Sequence, residues 1–142
     1  MNPPAGVNCR RAELAIYTRK APDEKCVALL RWLAHLIHDQ QTWLSPGSTM
    51  TNGQPPQPIF PGSVLDCFLF LSSIVQPDNS MPDRLILEGE PVELLWVVPI
   101  SSAECEFIRN RDLNDFLDLL EQNGHPHTLD EKRKSYVKPL RR

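Results

Sequence analysis

The sequence predicts an α+β fold: a mostly antiparallel sheet of about four to five strands with two to three helices packed on it. Three observations lead there. Apolar or alternating runs suited to strands occupy residues 11–18, 64–75 and 84–100. Residues 24–40 and 102–122 instead repeat their apolar residues at helical spacing. The third strand-like run breaks at Glu88-Gly89-Glu90-Pro91, the mark of two antiparallel strands joined by a tight turn.

The elements follow in order. "RAELAIYT" (11–18) alternates, with Leu14 and Ile16 on one face and Tyr17 on the other. Asp23, after Pro22, is placed to cap the helix "EKCVALLRWLAHLIHDQ" (24–40), whose stripe is Cys26, Leu29, Leu30, Leu33, Leu36 and Ile37. "TWLSPGSTMTNGQPPQPIFPGS" (42–63) holds five prolines and three glycines and predicts a long loop, a kind of segment that is often functional. "VLDCFLFLSSIV" (64–75) suits a strand covered on both faces. The strand at residues 92–98 is predicted to stop at Pro99, which cannot donate a ladder hydrogen bond. Ser101 and Glu104 then stand at capping-box spacing, so a helix begins at once over residues 102–108 and pauses near Asn110. A further helix at 112–122 carries the stripe Leu113, Phe116, Leu117 and Leu120, and Asn123-Gly124 stops it. The remaining "HPHTLDEKRKSYVKPLRR" has too little apolar content to fold alone; Tyr136 and Val137 are its candidates for an edge strand, and its basic residues read as solvated.

With 142 residues and 41 % hydrophobic content, one domain spanning residues 1–142 is expected, with an ordered core over about 10–122. A net charge of −3 argues against sequence-independent nucleic-acid binding, which needs a basic stripe against phosphates. No apolar run approaches the roughly 20 residues that span a bilayer, so no membrane contact is expected. Cys9, Cys26, Cys67 and Cys105 form no CxxC pair and read as free thiols in a reducing cytoplasm.

Candidate chemistry is sparse. His35, His38, His125 and His127 could gather on zinc, but no other ligand shows metal-site spacing. Ser45, Ser48 and Ser63 lie in no nucleophile elbow, and no phosphate-binding glycine pattern occurs. Asp112, Asp115, Asp118 and Glu121, with Glu104 and Glu106 before them, read as a solvated helix face or as an acidic surface for a basic partner. Trp43 stands at the entrance of the long loop, as a core anchor or an interface residue. No catalytic residue, cofactor or metal is assigned.

"TWLSPGSTM" after an amphipathic helix, then "ELLWVVPISSAECEFI" followed by "DLNDFLDLLEQN", resemble the suppressor of fused domain, and "RAELAIY" resembles the strand that precedes its helix. The resemblance covers most of residues 10–122. It implies binding rather than catalysis: animal members hold an extended peptide as an added strand, and compact bacterial-type members include immunity proteins that neutralise toxins. Members usually carry residues before the "RAEL" strand, whereas this chain starts "MNPPAGVNC". The difference implies either an internal methionine of a longer reading frame or a shortened, N-terminally truncated member. A missing strand would leave a sheet edge open to partners or to self-association.

The expectation is therefore a cytoplasmic, non-enzymatic protein-binding module, immunity-like, with a protein partner such as a toxin domain. Trp43, Ser45, Gly47, Thr49 and Asn52, from the matched loop, are its candidate contacts. The alternatives are a small metal-dependent or serine hydrolase using His35, His38 and the loop serines, and an incomplete domain without activity of its own.

Overall fold

The computed structural model describes residues 11–19, 21, 24–39, 45–72, 85–87, 89–126 and 128–138. The elements are β1 (Arg11–Ala15), α1 (Glu24–Asp39), β2 (Thr49–Thr51), β3 (Leu65–Ser72), β4 (Leu85–Leu87), β5 (Glu90–Ser101), α2 (Ser102–Asn110) and α3 (Leu113–Gln122). The sheet order is β1-β5-β3-β2, with β4 also paired to β5. β2–β3 and β4–β5 are antiparallel and β1–β5 is parallel, so the predicted α+β class with a mostly antiparallel sheet holds. Two compact units divide the chain: Met1–Ser48 with Phe70–Val97, and Thr49–Leu69 with Val98–Arg142.

In the first unit β1 lies beside β5, from Arg11 opposite Val92 to Ala15 opposite Trp96. A parallel neighbour needs a crossover between its strands, and α1 belongs to that connection and packs on β1. Of the predicted stripe, Cys26 and Leu33 are buried, while Leu29, Leu30, Leu36 and Ile37 are half-buried. The proposed cap Asp23 lies outside the described residues. Tyr17 sets its ring 5.9 Å from that of Trp96. β4 and β5 form the predicted hairpin, with Leu87 opposite Glu90 and Gly89 between them at φ 79°.

In the second unit β2 pairs with β3, Thr49 opposite Leu69 and Thr51 opposite Cys67. This corrects the expectation that residues 42–63 lack regular structure: a three-residue strand sits inside them. Strand β5 also departs from prediction by continuing through Pro99 to Ser101. Proline lacks only the N–H, and its carbonyl is still used, accepting from Arg133 Nη2 at 3.0 Å. Ser101 caps α2 with the full capping box: its hydroxyl accepts from the Glu104 N–H, and the Glu104 carboxylate accepts from the Ser101 N–H.

α3 packs on α2, with Phe116 beside Phe107, and it buries Phe116 and Leu120. Its end is a Schellman motif. The His125 N–H reaches the Leu120 carbonyl, the Gly124 N–H reaches that of Glu121, and Gly124 takes φ 60°. Phe68, Leu65, Ile100 and Phe116 fill the interior of this unit, each worth about 1.5–3 kcal/mol of burial. Among the described residues, no helix is long and apolar enough to cross a membrane.

Candidate protein-binding surface

The matched loop begins in the first unit with Ser45-Pro46-Gly47-Ser48. Pro46 sets φ for the second turn position, Gly47 supplies φ 96° at the third, and the Ser48 N–H closes on the Ser45 carbonyl at 3.0 Å. This is a type II turn. Its last two residues also oppose a single residue of β3: the Gly47 N–H donates to the Phe70 carbonyl, and the Ser48 carbonyl accepts from the Phe70 N–H. Two residues facing one, with glycine first, make a G1 bulge. Ser45 and Gly47 therefore shape the backbone, and the Ser48 hydroxyl accepts from the Ser45 N–H. Gly47→Ala is expected to cost about 1–2 kcal/mol, because a Cβ disfavours this left-handed backbone. The loss should appear as a lower urea midpoint at unchanged slope.

The second unit holds Thr49 and Asn52. The Asn52 N–H donates to the Asp66 carbonyl, so in the antiparallel ladder with β3 residues 50 and 52 turn their backbone groups inward. By the same alternation Thr49 and Thr51 aim N–H and C=O outward. β2 ends the sheet order, and among the described residues no strand pairs with that outer side.

A compact loop follows. Asn52 closes it from both ends, its carbonyl accepting from the Gln57 N–H and its Nδ2 donating to the Gln57 carbonyl at 2.7 Å. A second type II turn, Phe60-Pro61-Gly62-Ser63, buries Phe60 beneath it. Pro55, Gln57, Pro58 and Pro61 are exposed, as is Val64 at 54 %. No Asp, Glu, Lys or Arg occurs between Asp39 and Asp66. Depletion of charge is the compositional mark of interface cores. That signal was present in the sequence, and the periodicity reading passes over it.

The predicted acidic surface needs one correction. Asp112, Asp115, Asp118, Glu121 and Glu106 are exposed, but Glu104 is fully buried. Its two oxygens accept from Arg133 Nη1 and Nη2 at 3.0 and 2.9 Å, from the Ser101 N–H at 2.8 Å and from the Tyr136 N–H at 3.2 Å. Arg133 is correspondingly buried, which corrects the reading of the basic residues as solvated. Tyr136 docks without forming an edge strand. Its ring lies under the Arg133 guanidinium at 4.5 Å and edge-on to His125, whose Nδ1 is 2.8 Å from the Tyr136 hydroxyl. Burial, the largest influence, pushes the Tyr136 phenol pKa upward.

The remaining predicted residues scatter. Trp43, His127 and Cys9 lie outside the described residues. His35 is exposed on α1 in the first unit, whereas His125 belongs to the second. Among the described residues no three His, Cys, Asp or Glu side chains gather as a metal site. The Ser63 hydroxyl accepts from the Leu65 N–H, a turn contact.

The chain matches the family described as suppressor of fused protein over residues 1–134. No curated protein sequence matches it. Among solved structures, a suppressor of fused homologue from Neisseria gonorrhoeae superposes with a TM-score of 0.59 at 18 % identity, covering 84 % of this chain and 60 % of that one. A chain of the Sufu–Fu complex gives a TM-score of 0.61 at 13 % identity, over 84 % and 48 % of the two chains. Drosophila Suppressor of Fused gives 0.61 at 14 % identity, over 81 % and 26 %. At these identities the likeness is one of fold, and the chain spans less than two thirds of each of those proteins.

Proposed function

The chain belongs to the suppressor of fused family, and from that premise we propose that it is a non-enzymatic protein-binding module whose contact face is the outer edge of β2 with the loop that follows. One observation carries the proposal: Thr49 and Thr51 turn unpaired backbone groups outward beside a charge-free loop already held in shape. An extended partner segment would add as a strand there, with backbone hydrogen bonds for affinity and the exposed ridge of Pro55, Pro58 and Val64 for side-chain contact. A preformed loop lowers the ordering cost of binding. That one structural relative is a complex with a protein partner supports the same reading.

The finer role we propose is that of an immunity factor acting in the cytoplasm, with a toxin domain as partner. The exposed Asp112, Asp115, Asp118 and Glu121 would speed encounter with a basic toxin. Thr49 and Asn52 bear on the contact face from within the second unit; Ser45, Gly47 and Trp43 remain candidates from the matched loop.

The test uses proteins encoded beside its gene as candidate partners, measured against the wild-type chain and against Thr51→Pro. Proline at 51 removes an outward N–H and leaves the β3 ladder intact. One partner is expected to bind at micromolar affinity or better and to lose at least about tenfold with Thr51→Pro, each lost hydrogen bond being worth roughly 0.5–1.5 kcal/mol alongside steric blocking of the added strand. Absence of any partner at micromolar concentration counts against the module. Equal binding by the variant counts against the edge.

A further inference from the structure

We propose that the open edge of β2 pairs with the same edge of a second copy of this chain, as an antiparallel two-fold dimer centred on Met50. Thr49 and Thr51 both aim N–H and C=O away from β3, and among the described residues no strand takes these groups up. The pattern is self-complementary. In an antiparallel pair, opposed residues that exchange both backbone hydrogen bonds alternate with opposed residues that exchange none. A two-fold axis at Met50 sets Thr49 opposite the partner's Thr51, and Thr51 opposite the partner's Thr49. Every outward N–H and C=O of both copies then finds a partner, with the two Met50 residues as the unbonded pair between them. The side chains suit this register, because each threonine faces a threonine and such cross-strand pairs favour a sheet.

Charge favours a second copy at this place rather than elsewhere on the surface. The chain carries −3, and the exposed Asp112, Asp115, Asp118 and Glu121 of α3 would repel their like. Residues 40–65 are the longest stretch without Asp, Glu, Lys or Arg, so two copies meet through them with no like charges opposed. Natural sheet edges are guarded against such pairing by lysine, proline or an inward charge, and Thr49-Met50-Thr51 has none of these. Its guard is its shortness, which limits the affinity without preventing contact.

In the antiparallel arrangement the loop after Thr51, with Pro55, Gln57 and Pro58 exposed, flanks the Thr49 end of the other copy and extends the contact. The same patch is used by both copies, so the assembly closes at a dimer instead of growing into a fibre. A contact built on a three-residue strand belongs with weak, transient interfaces. The pairing hides the contact face proposed above, so partner and second copy compete for it. That competition rests on the binding-module reading, whereas the dimer does not.

The test measures the mass of the full chain by sedimentation from about 10 µM to about 1 mM. The mass is expected to rise from 16.2 kDa toward twice that value. Thr51→Pro, which removes an outward N–H, should weaken the dimer at least about tenfold. Raising salt from about 50 to about 500 mM should change the dimer affinity by less than about threefold, since no ion pair holds it. Met50→Cys, oxidised at the same concentrations, should give a disulfide between the substituted positions of two copies, because Cα atoms of an unbonded antiparallel pair stand within disulfide reach, about 4.5 Å apart. Asp118→Cys, on the exposed face of α3, should not link.

A mass that stays at 16.2 kDa up to about 1 mM would overturn the dimer and leave the partner-binding reading standing, since that reading is tested with a different protein. A dimer unweakened by Thr51→Pro, or weakened tenfold or more by salt, would overturn it too, by placing the contact elsewhere. Linking at position 50 no greater than at position 118 would do the same. That comparison keeps both threonines, so it decides the matter even where proline at 51 prevents folding.

Discussion

Glu104→Gln is expected to destabilise the protein by about 3–5 kcal/mol, because it leaves the Arg133 guanidinium buried without a counter-charge. The native carboxylate accepts four hydrogen bonds, two of them from Arg133 as a fork. A glutamine can offer one oxygen, and its NH2 would face a donor. The buried pair is not itself expected to be a large net source of stability, since desolvation opposes its attraction. Glu104→Met combined with Arg133→Met should therefore recover much of the loss, with a coupling energy of roughly 1–3 kcal/mol between the two sites. Urea unfolding of the four proteins in this cycle measures it. A cost below about 1 kcal/mol for Glu104→Gln would show that water reaches the pair.

Phe116→Ala should cost a similar amount, about 3–5 kcal/mol, by a different route. Phe116 is fully buried and packs against Phe107, with ring centroids 6.4 Å apart and planes at 57°. Truncation removes that contact and leaves a cavity between α2 and α3 that two capped helices cannot readily close. Leu117→Ala, at a half-buried position of the same helix, should cost distinctly less. Equal losses for the two would indicate that α3 shifts to fill the space. The comparison is read from denaturation midpoints at constant slope.

Both predictions depend on features unequally visible in the sequence. The capping box at Ser101 and Glu104, the helical stripe ending at Leu120, the stop at Asn123-Gly124 and the hairpin turn at Gly89 were all legible. The strand Thr49–Thr51 was not, because three residues in a proline-rich stretch are too few to display a period. The parallel placement of β1 was hidden because alternation reports which face a residue takes and not the direction of its neighbour. The type II turn at Pro46-Gly47 was written in the text, but the bulge it feeds needed Phe70 opposite it. Among the candidate contacts, the residue types of Ser45 and Gly47 stood out because they build a turn. The outward edge of β2 became visible only with its pairing to β3.

The sequence by itself determined the class of fold, the helices with their caps and stops, and the charge-free character of the loop. All of these rest on groups a few residues apart, whose spacing decides whether they can meet. Tertiary structure alone decided that Glu104 would find Arg133, 29 residues later, and that Ser102 would reach Asp66, 36 residues earlier. Bringing such groups together requires closing a long loop, and that closure is favoured by burial of the whole core rather than by any local pattern.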